Sequence, residues 1–440
     1  MPGDVLIIGG GSTGEAFAGS LRGFEPDTTI TLVERGLVGG ECSYYACMPS
    51  KALLRPAEAL AAARLAPGAA EAATGELDAA RVLWHRDQVT GDWDDSSQET
   101  WLADRDIELV RGKAVVREPG LVEAAGRELR YERLMIATGS VPSIPPIEGL
   151  DGVDFWTNRE ATSVREIPKS LVVLGAGPVG CELAQFFQRV GSQVTLVQGD
   201  SRILSRVDAD AAALVATALQ EDGVEIRLDA RASRVNPSAL ILEDGVELPF
   251  DRLLIATGRR PNVAGLEPLG LTLSRRGIEV DEHMRAAENV WALGDVTGIA
   301  PFTHVGKYHA RIAAYDLVGR DARADHRAVP ATIFTDPQVA TVGDTEGGLS
   351  STWDLGSVPR LSTYERPKHA GFVKVVADPE RRVLKGAVAV GPEAGEWLQQ
   401  LTLAIRAETP IEVLLDVIQP YPTFSEGVFL ALRELNLDLA

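Results

Sequence analysis

Two stretches of this 440-residue chain repeat one demanding local design. Asp4-Val5-Leu6-Ile7-Ile8 reads as a buried strand of a parallel sheet, its apolar run showing no polar alternation. It runs into Gly9-Gly10-Gly11-Ser12-Thr13-Gly14 and then into a helical pattern. Leu171-Val172-Val173-Leu174 runs in the same way into Gly175-Ala176-Gly177-Pro178-Val179-Gly180. A second strand follows each helix, ITLVE ending at Glu34 and VTLVQ ending at Gln198. Strand, GxGxxG turn, helix and strand, with a polar residue about twenty positions on, is the fingerprint of a dinucleotide-binding unit. The glycines permit a tight turn and the close approach of a pyrophosphate to the helix N-terminus. A single GxGxxG is weak evidence; two in matching contexts dictate an α/β chain with two Rossmann-like domains.

The duplication extends further. Arg133-Leu134-Met135-Ile136-Ala137-Thr138-Gly139 returns as Arg252-Leu253-Leu254-Ile255-Ala256-Thr257-Gly258. Each copy follows a polar, turn-rich stretch (108–131 and 224–250) that reads as short antiparallel strands. Proline clusters at 142–146 and 261–268 mark crossings between domains. The expected organisation is a first dinucleotide domain over 1–146 and 264–325, a second inserted over 147–263, and an α+β domain without glycine loops over 326–440.

Composition bounds the partners. The net charge of -20 argues against binding nucleic acid or an anionic membrane, because phosphates would be repelled. No run approaches the ~20 apolar residues of a membrane span. The opening MPGDVLIIGGG lacks a basic segment and breaks into glycine almost at once, so it reads as a strand and not a signal peptide. Cytoplasm and a small-molecule substrate are the expectation.

Two of the three cysteines, Cys42 and Cys47, fall just after the first dinucleotide unit, in Gly39-Gly40-Glu41-Cys42-Ser43-Tyr44-Tyr45-Ala46-Cys47-Met48-Pro49-Ser50-Lys51. Such a pair can exchange electrons with whatever the nucleotide site holds. Residues five apart in a regular helix stand roughly 8–9 Å apart, whereas a disulfide needs about 4.4–6.8 Å between Cα atoms. Cys42 is therefore expected on a loop or distorted turn and Cys47 at a helix start, where the helix dipole favours a thiolate. Lysine is scarce, seven against thirty-six arginines, which draws some attention to Lys51. Cys181 reads as a small packed hydrophobe.

Taken together, GGGSTG, GGECSYYACMPSK, the two IATG segments, GAGPVGCE, ALGD, IFTDPQVATVG and PTFSE resemble the class I pyridine nucleotide–disulfide oxidoreductases. That group includes dihydrolipoamide dehydrogenase, glutathione reductase and mercuric reductase, and the resemblance spans essentially the whole chain. It implies FAD on the first unit, NAD(P)H on the second and a C-terminal homodimer interface. Gly9, Gly11, Gly14 and Gly139 would hold FAD, Glu34 its adenosine ribose and Asp295 its ribityl chain. Gly175, Gly177, Gly180 and Gly258 would hold the nicotinamide dinucleotide. Lys51 and Glu182 match the family's ion pair beside flavin N5. The implied electron path runs from nicotinamide through FAD to a Cys42–Cys47 disulfide, with Cys47 as the charge-transfer thiolate and Cys42 as the thiol that meets substrate.

The chain departs from the pattern in four places. Where dihydrolipoamide dehydrogenase and glutathione reductase carry a His-Pro-Thr-x-x-Glu, this chain reads Tyr421-Pro422-Thr423-Phe424-Ser425-Glu426. A phenol with a pKa near 10 is ionised only about one part in a thousand at pH 7, so Tyr421 is a poor base for a dithiol. Mercuric reductases share the tyrosine but add a C-terminal cysteine pair, and no cysteine follows Cys181 here. Between the redox cysteines stands Ser43-Tyr44-Tyr45-Ala46 in place of a small Asn-Val-Gly, read either as an aromatic wall or as packing. Pro178 replaces a tyrosine that gates the nicotinamide pocket in some relatives.

Cofactor choice is the fourth departure. A carboxylate such as Glu34 accepts from a ribose 2′-OH and repels a 2′-phosphate. Gln198 does not repel, and Arg202 and Arg206 follow it, so NADPH is expected over NADH. His304 and His309 stand five apart, off the spacing of two ligands on one helix face, and no metal site is expected. The overall expectation is a flavin-dependent enzyme reducing a small disulfide, metal ion or quinone-like acceptor. The alternatives are a dihydrolipoamide dehydrogenase-like or mercuric reductase-like enzyme, and a redox-sensing flavoprotein that acts by binding a protein partner.

Overall fold

The computed structural model describes residues 4–364 and 370–435. It divides into two compact units. The first takes residues up to Pro49, His85–Ser143 and Gly258–Asp325; the second takes Ser50–Trp84, Ile144–Thr257 and the chain from His326 on. Ser50–Trp84, expected within the first domain, groups with the second unit because Leu53, Leu54, Val82 and Leu83 share a core with Leu183 and Phe187.

The first unit is built on a six-stranded sheet. At its centre β1 (Val5–Ile8) pairs in parallel with β2 (Ile30–Glu34) on one side and with Arg133–Ile136 on the other. Ile107–Arg111 extends the sheet beyond β2, and Val290–Ala292 and Arg285–Ala287 extend it at the other edge. The apolar run of β1 has its physical reason here. Val5 and Ile7 pack with Phe17 and Leu21 of α1 (Ser12–Phe24) and with Ala310 and Ala313, while Leu6 and Ile8 enter a separate core with Val33, Val116 and Leu134. Each full burial of such a side chain is worth about 1.5–3 kcal/mol, so neither face tolerates a polar residue.

The second unit repeats the design. Ser170–Leu174 lies between Gln193–Val197 and Arg252–Ile255, all parallel, with Glu225–Arg227 at the edge. Leu171 and Val173 face one core, and Val172 and Leu174 the other. The turn-rich stretches expected to be antiparallel are so over 115–130 and 232–249, as three-stranded meanders. Their first strands differ: Ile107–Arg111 and Glu225–Arg227 join the parallel sheets, burying Ile107 and Val110 in the first case. The same unit contains a five-stranded antiparallel sheet in the order Pro330–Ile333, Gln338–Gly343, Val383–Gly391, Phe372–Asp378, Leu349–Asp354. Helices Gln399–Arg406 and Ser425–Arg433 contribute Leu401, Ile405, Val428 and Leu432 to the core of that sheet.

Candidate active site

The first glycine turn is shaped for close backbone approach. Gly9 has φ +108°, and a Cβ there would stand 2.3 Å from the carbonyl oxygen of Ala137; a Cβ on Gly14 would stand 2.0 Å from the oxygen of Gly9. Gly11 is the open member, with nothing nearer to an added Cβ than the Gly40 Cα at 4.0 Å. The turn is thus packed shut behind and clear in front, at the head of α1. Glu34 closes the adjoining edge: its carboxylate accepts from the Gly10 N–H and the Gly36 N–H, both at 2.7 Å. Asp295 accepts from Ser140 Oγ at 2.6 Å, and Ser140 in turn accepts from Arg259 Nε at 2.8 Å. Gly139 holds its loop by accepting from the Asn262 N–H at 2.9 Å. A glycine cradle at a helix N-terminus, with carboxylates placed for sugar hydroxyls, fits FAD.

The redox loop adjoins this cradle within the first unit. The Gly39 N–H donates to the Gly10 carbonyl at 2.8 Å. Cys42 sits in the one-turn α2 (Gly40–Tyr44), and Cys47 opens the nineteen-residue α3 (Cys47–Leu65). The helix break at Tyr45 and Ala46 gives the geometry expected from spacing. The two cysteines are not bridged in the structure. The hydrogen bond between Cys42 and Cys47 pushes the Cys42 thiol well above its ordinary range, and burial adds to the effect. Thr303 and Lys307 act in the opposite sense. Thr303 Oγ1 lies 3.4 Å from Cys47 Sγ.

Tyr44 settles as packing and not as a wall. It is buried, its hydroxyl meets Gln98 Oε1 at 3.2 Å, and burial followed by nearby carboxylates pushes its phenol up to about 12. Trp93 Nε1 donates to the Tyr44 carbonyl at 3.1 Å, and the fully buried Arg86 guanidinium stands 5.0 Å over the Trp93 ring.

In the second unit the glycine turn is rebuilt. Gly175 has φ +107°, with a would-be Cβ 2.5 Å from the Ala256 oxygen; Gly180 would meet the Gly175 oxygen at 1.9 Å, and Gly177 faces open space. Pro178 opens the helix Pro178–Arg189 at a position with no N–H to lose. Gln198 takes the place of Glu34: its Oε1 accepts from the Ala176 N–H at 3.0 Å, while its Nε2 donates to Asp200 at 2.8 Å. Arg202, expected at the cofactor phosphate, has another task. Its guanidinium donates to the carbonyls of Leu204, Ser205 and Val207 at 3.2, 2.6 and 2.8 Å. Three flexible methylenes and a planar guanidinium let it fold back and cap its own loop. Gly258 belongs to the first unit, at φ +117°.

Lys51, one turn after Cys47 in α3, meets Glu182 at 2.9 Å. The Phe334 N–H donates to the other Glu182 oxygen at 2.8 Å, and the Phe334 ring lies 4.3 Å from Lys51 Nζ. Glu182 is buried and Lys51 partly exposed, so removing Lys51 would leave an uncompensated buried carboxylate. The neighbouring Cys181 is fully buried, and burial pushes its thiol up; it is packing. His309 is buried with Nδ1 3.1 Å from the Gly294 N–H, and His304 stacks on Phe302. Among the described residues no cluster of three or more His, Cys, Asp or Glu could hold a metal. Tyr421 is 71% exposed, and Glu426 Oε2 is buried with no hydrogen-bond partner among the described residues.

Sequence reasoning missed several groups. Thr303 and Lys307 lie in a segment where the two histidines drew attention, and Phe334 lies inside a motif read only as a resemblance. Glu15 gave no signal. Burial raises its carboxyl to about 7, with Lys307 opposing and Asp95 reinforcing the shift.

Two dinucleotide cradles and a cysteine pair set across a helix break define a flavin- and pyridine-nucleotide-dependent oxidoreductase. The chain belongs to the pyridine nucleotide-disulphide oxidoreductase family: residues 3–314 match that family and residues 329–431 match its dimerisation domain. It is 35% identical over 463 residues to a mercuric reductase of Shigella flexneri, covering 99% of this chain and 81% of that protein. It is 34% identical over 460 residues to a dihydrolipoyl dehydrogenase of Thermus scotoductus, covering 98% and 97%. Among solved structures, the HOCl-induced flavoprotein disulfide reductase RclA of Escherichia coli superposes with a TM-score of 0.86 at 28% identity, over 98% of this chain and all (100%) of that one. LpdA of Mycobacterium tuberculosis gives a TM-score of 0.87 at 25% identity, over 98% and 99%. No helix among the described residues is long and apolar enough to cross a membrane.

Proposed function

We propose that this enzyme draws reducing equivalents from NADPH and delivers two electrons through Cys42 and Cys47 to a small acceptor whose reduction needs no strong base. A low-molecular-weight disulfide, a metal ion and a quinone-like oxidant are the acceptor classes. The observation that carries this reading is the arrangement of the pair, Cys42 on a one-turn helix beside the glycine cradle and Cys47 heading α3 with its sulfur 3.4 Å from Thr303 Oγ1.

FAD, when bound, supplies exchange between a hydride donor and a dithiol. The chain's own residues do the rest. Gly9, Gly11 and Gly14 would seat its pyrophosphate at the head of α1, Glu34 its ribose, and Asp295 with Ser140 its polyol chain. Lys51, charge-balanced by Glu182, would place a cation toward the reduced ring. Thr303 would hold Cys47 as thiolate. Cys42 would attack a disulfide acceptor, forming a mixed disulfide and releasing one thiol; Cys47 then displaces the second, and the Cys42–Cys47 bond closes. Glu426 survives at the C-terminus, but the exposed Tyr421 beside it is a hydrogen-bond donor where a base would serve dithiol oxidation. This supports reductive rather than lipoamide-oxidising turnover. The likeness to mercuric reductases favours soft metal ions among the acceptors. The preference for NADPH rests on the uncharged Gln198 at the strand end and on the exposed Arg206.

The test is an NADPH- and NADH-driven screen of lipoamide, glutathione disulfide, Hg(II), Cu(II) and quinones, with Cys42→Ser as control. Turnover of one acceptor that the variant abolishes supports the reading. Turnover that survives in the variant for every acceptor would show that the pair is bypassed. Anaerobic NADPH titration should raise a long-wavelength absorbance band that Cys47→Ser removes.

A further inference from the structure

The second dinucleotide unit contains an arginine that the family fingerprint does not single out. Beyond the edge strand Glu225–Arg227 the chain doubles back along the end of Gln193–Val197. Three backbone bonds fix this course: Gln198 N–H to the Arg227 carbonyl at 2.8 Å, Ala230 N–H to the Gln198 carbonyl at 2.9 Å, and Asp229 N–H to the Asp200 carbonyl at 3.0 Å. Arg231 leaves this loop and lies across Gly199. A Cβ added at Gly199 would stand 3.5 Å from Arg231 Cγ, 3.9 Å from Cζ and 4.0 Å from Nη1. Glycine at 199 therefore gives the side chain its resting place, directly beside Gln198.

The first unit provides an internal control. There the edge strand ends in Arg111, whose guanidinium crosses the residue two beyond Glu34 and donates to the Gly36 carbonyl. That arginine is neutralised, bonded to both Asp95 and Glu99. It stands beside a carboxylate, Glu34, suited to a ribose hydroxyl. In the second unit the corresponding strand end is the uncharged Gln198; the Arg231 carbonyl accepts from the Glu243 N–H at 2.9 Å, while its guanidinium makes no hydrogen bond or ion pair among the described residues. Three carboxylates share this edge: Asp200 accepts from the Gln198 amide at 2.8 Å, Glu225 is paired with Arg227, and Asp229 lies on the loop two residues before Arg231. A guanidinium meets a phosphate through two parallel N–H bonds, which the compact ammonium of lysine cannot match.

We propose that Arg231, laid over Gly199 beside Gln198, is the residue that reads the 2′-phosphate of NADPH. The assignment rests on the NADPH preference proposed above and replaces Arg202, whose guanidinium caps its own loop. Specificity is then a property of the loop after the edge strand, not of the strand-end segment where the sequence places it.

The test uses the FAD-loaded enzyme and two fragments, 2′,5′-ADP and 5′-AMP, titrated by calorimetry without turnover, beside steady-state kinetics with NADPH and NADH. Wild type should bind 2′,5′-ADP in preference. Arg231→Gln should weaken 2′,5′-ADP by about tenfold or more and raise KM for NADPH alike, with 5′-AMP and NADH changed by less than about twofold. Arg231→Lys should recover part of the loss. The thermal midpoint should stay put, because the guanidinium holds no other bond. If wild type prefers 2′,5′-ADP and Arg231→Gln binds it undiminished, the assignment is overturned and the NADPH reading stands. If wild type binds both fragments equally and prefers NADH, the NADPH reading falls and takes this assignment with it.

Discussion

Replacing Glu15 by glutamine should stabilise the enzyme, and only above acid pH. Glu15 lies in the first turn of α1, and burial lifts its carboxyl from 4.5 to about 7. Lys307 offsets part of that rise and the charge of Asp95 adds to it. The folded state thus holds the proton more tightly than the unfolded one. Below the unfolded value both states are protonated and the group contributes nothing. As pH climbs from 4.5 to about 7, the unfolded chain releases the proton first, so stability falls. Above that range both are ionised and the penalty levels off at on the order of 3 kcal/mol, an upper value for a group partly in contact with water. A bound pyrophosphate at the head of α1 is a like charge and acts in the same direction. Glu15→Gln removes the ionisation while keeping the shape. Thermal unfolding of both FAD-loaded proteins, at matched pH from about 4 to 8, gives the difference curve. It should start near zero, rise through the window and flatten with the variant several degrees more stable. A difference independent of pH, or a variant less stable near pH 8, would refute the reasoning.

Three further outcomes are expected. Gly180→Ala forces a Cβ to within 1.9 Å of the Gly175 oxygen and should destabilise the second unit by several kcal/mol, seen as a lost or lowered unfolding transition. Gly177→Ala meets nothing within 4 Å and should leave that transition in place while weakening NADPH binding in a calorimetric titration. Thr303→Val deletes the contact to Cys47 Sγ and should slow alkylation of reduced Cys47 at pH 7 by about tenfold, the worth of one hydrogen bond to a charged group; an unchanged rate would remove Thr303 from the site. Tyr421→His, beside the retained Glu426, should raise dihydrolipoamide oxidation, and a fall would show that the tyrosine is tuned for that substrate.

The parts of this molecule that were legible in its sequence are those whose physics is local. β1 and Ser170–Leu174 announce themselves because burial on both faces permits only apolar residues, and Gly9 and Gly175 because an added Cβ would collide with a carbonyl. The break between Cys42 and Cys47 follows from helix geometry alone. Arg202 and Arg231 were not legible, because a long side chain next to a motif can fold onto its own backbone while one thirty residues away reaches in. The same holds for Glu15: nothing in STGEAF reveals that α1 turns this carboxyl away from water. The grouping of Ser50–Trp84 with the second unit is likewise a matter of shared core, since Leu53 and Val82 carry no mark of which sheet they will meet.

The support beneath the redox loop has an optical consequence. Trp93 is tied by its indole N–H to the carbonyl of Tyr44, a residue that lies between the two cysteines, and the buried Arg86 cation stands over its ring. Any shift of the chain between Cys42 and Cys47 when the disulfide closes would reach the indole through the Tyr44 carbonyl. Indole emission responds to both its hydrogen bond and a nearby charge. In a variant retaining Trp93 as its sole tryptophan, fluorescence would therefore report the oxidation state of the thiols when read at a fixed flavin redox state.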